Sequence, residues 1–99
     1  MKIVDVRESR ERCAESGWFA YDFILEEQVN KELILALKPL GAMTYLPMLK
    51  KPFFKIESNY YFLKGMEKDD FIRVAVHDKH REELDKVRDY IENLSVFSS

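Results

Sequence analysis

The sequence predicts an α+β domain, a two-layer sandwich with two helices on one face of an antiparallel sheet, of the split βαβ, ferredoxin-like kind or a near relative. Three observations predict it. Apolar and polar residues alternate with a period of two over residues 18–27, 53–63 and 71–77. Apolar residues recur at helical spacing after Asn30 and again at Leu84, Val87, Ile91 and Leu94. The order along the chain is then strand, helix, strand, strand, helix. The 99 residues form a single domain over 1–99, with 46% hydrophobic and 34% charged residues, enough apolar content to fold around one core.

Each element has its local reason. Residues 2–6 make a short edge strand, and residues 8–15 offer an exposed helical turn with almost no apolar face. Past Gly17, Phe19, Tyr21, Phe23 and Leu25 fall on one side of a strand, with Trp18, Asp22 and Ile24 on the other. Asn30 is placed to cap a helix that buries Leu33, Ile34 and Leu37, and Pro39 and Gly41 stop it. Residues 42–52 hold a short strand through Met43 and Tyr45 and then a loop bounded by prolines.

If the alternation runs unbroken over residues 53–63, Phe54, Ile56, Tyr60 and Phe62 point to the core, and Lys55, Glu57, Asn59 and Tyr61 point outward. The strand over residues 71–77 pairs with it through a loop at 65–70. The register that best suits the loop sets Tyr61 opposite Arg73 and Glu57 opposite His77 on the outer face. The last helix takes Asp78 as its cap and Glu82 with Lys86 as an ion pair on its wet side. A further edge strand is expected at residues 95–97.

Composition narrows the function. Cys13 is the one cysteine, so no internal disulfide forms, and no secretory leader or membrane span is evident; the expected setting is cytoplasmic. The formal charge of −2 argues against a wholesale positive field of the kind that holds nucleic acid. The charge is uneven, however: residues 38–66 carry five lysines against Glu57 alone. Walker, dinucleotide and nucleophile-elbow motifs are absent, so no reaction is named and no cofactor is implied.

The free sheet face is the expected working surface. Trp18, Ile24, Tyr61, Leu63 and Phe71 make it more apolar than solvation requires, which points to an interface. Asp22, Lys55, Tyr61 and Arg73, with Lys50 and Lys51 nearby, are the candidate ligand contacts. The leading reading is a non-enzymatic binding or assembly module that forms a homodimer through this face. The alternative is a small enzyme or a binder of a phosphate or carboxylate anion, with His77 as proton carrier and Glu57 as its orienting carboxylate. A second alternative is weak binding of single-stranded RNA through residues 50–64; against it, the alternation sends Phe54, Tyr60 and Phe62 inward. His77 and His80 lack a third ligand, so no metal is expected.

Overall fold

The computed structural model describes residues 1–8 and 17–94 of the chain. It is a small α+β domain with a six-stranded antiparallel sheet and two helices. The strands are β1 (Ile3–Glu8), β2 (Trp18–Leu25), β3 (Ala42–Leu46), β4 (Phe53–Glu57), β5 (Tyr61–Met66) and β6 (Phe71–His77). The helices are α1 (Lys31–Ala36) and α2 (Glu82–Glu92), with 3-10 turns at Lys38–Leu40 and Asp78–His80. Across the sheet the order is β1-β2-β6-β5-β4-β3. Of the helical turn expected over residues 8–15, Glu8 belongs instead to β1, and residues 9–15, Cys13 included, lie outside the described residues, as does the strand expected at 95–97. No helix among the described residues is long and apolar enough to cross a membrane.

One buried cluster accounts for the arrangement. Leu33, Ile34 and Leu37 from α1 and its end, and Val87 and Ile91 from α2, meet Phe23 and Leu25 of β2 and Ile72, Val74 and Val76 of β6. Phe54 and Ile56 of β4, Tyr61 and Leu63 of β5, Ile3 of β1 and Val29 ahead of α1 also belong to it. The residues that β2, β4, β5 and β6 give to the cluster alternate along each strand, as a pleated strand must when one of its faces is buried. Asn30 Oδ1 accepts from Leu33 N at 2.8 Å and caps α1 as its side chain predicts. The Tyr90 hydroxyl donates to Ala36 O at 2.7 Å and ties α2 to α1. Arg73 and His77, which alternate with Val74 and Val76, project from the outer face of the sheet, opposite this cluster.

Four sequence expectations are corrected. Residues 53–63 are two strands, because Ser58 N donates to Tyr61 O at 2.9 Å and closes a tight turn about Asn59 and Tyr60. The pairing sets Glu57 opposite Phe62 and Ile56 opposite Leu63, so even-numbered residues face the core in β4 and odd-numbered ones in β5. An alternation carried straight through the turn therefore inverts every side chain beyond it. The β5–β6 register is different as a consequence: Tyr61 stands opposite Val76, Phe62 opposite Ala75 and Lys64 opposite Arg73.

The third correction concerns Asp78, which opens a 3-10 turn rather than capping α2. His77 caps that turn, its Nδ1 accepting from Lys79 N at 3.1 Å. Fourth, Lys86 bonds Glu83 at 3.0 Å instead of Glu82. Glu83 is the less exposed carboxylate and sits three residues away on the same helical face.

Candidate functional site

The register assembles three rows of side chains across the outer face. The middle row runs Arg7, Asp22, Arg73, Lys64, Lys55, Thr44, one residue from each strand in spatial order. Four of the six are cations. On one side lies a row of Ala20, Ala75, Phe62, Glu57 and Ala42. On the other side Ile24 pairs with Phe71, and Phe53 stands between Met66 and Leu46 and pairs with both. Neighbouring strands are about 4.8 Å apart, so the basic side chains rise from the sheet at regular short intervals.

Within the middle row like charges stand directly opposite one another, Arg73 against Lys64 and Lys64 against Lys55. That juxtaposition is unfavourable in a sheet unless anions answer it. Internal carboxylates answer part of it. Arg7 pairs with Asp5 at 2.8 Å, Lys55 with Glu57 at 3.0 Å, and Arg73 Nε with Asp22 at 2.9 Å. Lys64 is engaged within the chain as well. The Arg7 and Lys55 pairs are open to solvent, where such pairs contribute about 0–1 kcal/mol, so a ligand of higher charge density can displace them. The Asp22–Arg73 pair is more enclosed, and burial pushes the Asp22 carboxyl above its ordinary value.

Aromatic side chains flank the cations. Trp18 on β2 and Phe62 on β5 have ring centroids 5.7 Å apart although β6 separates their strands. Both rings therefore lean over Ala75, which is 0% exposed despite its place on the outer face. Only a side chain as small as alanine fits beneath them. Lys55 Nζ lies 5.2 Å from the Phe62 centroid and the Arg73 guanidinium 5.7 Å from that of Phe71, so cations and ring faces are interleaved. At the end of the face, His77 meets Trp18 edge-on at 5.4 Å, and Tyr60 packs on His80 at 4.2 Å.

Trp18, Asp22, Ile24, Lys55, Phe71, Arg73 and His77 are all on this face. Tyr61 and Leu63 are not. Leu63 is fully buried in the core, and Tyr61 is 8% exposed on the core side, where its hydroxyl donates to Leu40 O at 2.7 Å. The Glu57–His77 pair is not formed: β5 lies between their strands, Glu57 bonds Lys55, and His77 Nδ1 is occupied as a backbone acceptor. Lys50 and Lys51 are in the exposed loop after β3, where Lys51 pairs with Asp69.

Phe53, Phe62, Lys64 and Arg7 join the surface without having been expected there. The Ser58-Asn59 pair, a turn signal within the apparent strand, is the feature that reveals Phe62 and Lys64, whereas Phe53 lies before the turn and follows from the alternation with Phe54 and Ile56. Among the described residues no group of three or more metal-ligating side chains is gathered. Comparison with family models, with curated proteins and with solved structures finds no match for this chain.

Proposed function

We propose that the chain is a two-layer, ferredoxin-like binding module whose helices cover one sheet face and whose outer face takes single-stranded nucleic acid. Phosphates would lie along Arg7, Arg73, Lys64 and Lys55, and unpaired bases would rest against Trp18, Phe62, Phe71 and Phe53. The single observation behind this reading is the cross-strand basic row flanked on both sides by aromatic rings. Lysine and arginine supply the phosphate contacts of such complexes, and aromatic faces supply sequence-tolerant stacking. The formal charge of −2 does not oppose it, because the cations are concentrated on one face within reach of a bound chain.

Charge also bears on self-association through the same face. Two copies packed face to face would bring basic rows together in the low-dielectric centre of the interface, where like charge is costly. A catalytic reading lacks its pair, since Glu57 and His77 are held apart.

The reading is tested by titrating the protein with oligouridine and with inorganic polyphosphate while salt is varied. Oligouridine should bind more tightly than polyphosphate of equal charge, with a log–log salt slope of about −2 to −3 for three or four neutralised phosphates. Replacing Lys55 and Lys64 together by Gln should flatten that slope. Absence of salt-sensitive binding to either polymer would remove the proposal, and equal binding of both would reduce it to a plain anion patch.

A further inference from the structure

The two edges of the sheet are treated differently. At β1 the pairing with β2 shifts between Ile3 and Asp5, and Asp5, Arg7 and Glu8 are charged and exposed. An irregularity and charges are the usual devices that keep an edge from pairing with another chain. At the opposite edge β3 reads Ala42-Met43-Thr44-Tyr45-Leu46, without charge or proline, and pairs with β4 through all five residues with no shift. No described strand occupies its other side. Met43 and Tyr45 are only partly buried where they pack on the rim of the core. Met48, 74% exposed, follows just beyond Pro47, the residue after the strand. This edge has none of the protection its counterpart has.

We infer that β3 pairs antiparallel with β3 of a second copy, about a two-fold axis that is perpendicular to the sheet and passes between the two Thr44 residues. The register follows from the pleat, since residues opposite each other must point to the same face. Centring on Thr44 sets Met43 of one copy opposite Tyr45 of the other, so each copy completes the rim of the other's core. Ala42 stands opposite Leu46, and threonine meets threonine on the axis, a favourable cross-strand pair. The seam is uncharged, whereas a face-to-face dimer would confront two basic rows; charge therefore selects the edge. Two five-residue strands bury less than a standard interface, so the association is weak and concentration-dependent.

This geometry extends the proposed site. Thr44 is the end of the basic row, and a two-fold axis normal to the sheet keeps both outer faces on the same side. The rows of two copies then join end to end, from Arg7 of one to Arg7 of the other, with the two threonines between. This extension rests on the nucleic-acid reading; the edge pairing itself does not.

Sedimentation of the free protein over a micromolar to millimolar range separates the two. The mass should rise from 11.8 kDa toward twice that value. Thr44→Lys, which sets two ammonium groups together on the axis, should hold the protein monomeric with an unchanged circular dichroism spectrum, and Thr44→Val should associate like the parent. A monomer at every concentration, or a dimer indifferent to Thr44→Lys, overturns the edge pairing. For the joined row, an oligouridine long enough to cross both copies should bind the parent at least about tenfold more tightly than it binds Thr44→Lys, whereas a short one should bind the variant at least as tightly as the parent, because the new ammonium group lengthens the basic row of a single copy. Edge pairing without that length-dependent gain would refute the joined row alone.

Discussion

Tyr61 condenses the difference between pattern and packing into one side chain. Its place in an alternating run assigns it to the wet face, yet the turn before it delivers its ring to the core, where the hydroxyl finds the Leu40 carbonyl. Burial first, and then the negative charge of Glu83, hold its phenol above the ordinary 10.0, against an opposing hydrogen bond from Ser58. A folded value above the unfolded one means that the phenol's contribution to stability is complete below pH 10 and is lost as pH rises through the higher value. Denaturation followed against pH should therefore show the parent losing stability above about pH 10 faster than Tyr61→Phe. Near neutrality the variant should be less stable by about 1–2 kcal/mol, because the Leu40 carbonyl loses its donor.

The β4–β5 hairpin decides which rings reach the outer face. Its register brings Gly65 opposite Phe54, and the absence of a side chain leaves room for the Phe54 ring. A Cβ at Gly65 would stand 2.9 Å from Phe54 Cε1, and that ring is 0% exposed with no free direction in which to move. Gly65→Ala should accordingly destabilise the domain by about 1–3 kcal/mol in chemical denaturation, as overpacking does elsewhere. An unchanged midpoint would show that the ring is not confined at this point. The helices are simpler: Asn30 caps α1 in the way its side chain and spacing indicate, and α2 buries Val87 and Ile91 from its apolar stripe.

For the molecule as a whole, two proposed associations draw on different forces. Contact with nucleic acid depends on the cations of the basic row, exposed at Arg7 and half-buried at Lys55, Lys64 and Arg73, and is screened by salt. Pairing through β3 depends on backbone hydrogen bonds and apolar contacts, which salt leaves nearly untouched. Raising salt from about 50 to 500 mM should weaken oligouridine binding by about a hundredfold or more for three or four phosphate contacts, while the sedimentation isotherm of the free protein stays in place. Self-association that tightened as salt rose would point instead to the basic faces, whose mutual repulsion salt screens.

Much of the fold is legible in the residues because local patterns and tertiary packing agree. Phe23 and Leu25 in β2, Ile72, Val74 and Val76 in β6, and Val87 and Ile91 in α2 are buried as their spacing dictates. The faces of Trp18, Asp22 and Arg73 follow from the same alternation. What only the tertiary structure decided is the phase of β5. A period of two says which residues share a face, but a tight turn can restart the count, and pairing with β6 must select the phase. That choice moved Phe62 and Lys64 outward and Tyr61 inward, and it created a basic row whose members are distant in sequence. Adjacency across a sheet is set by strand order and register, which no local pattern encodes.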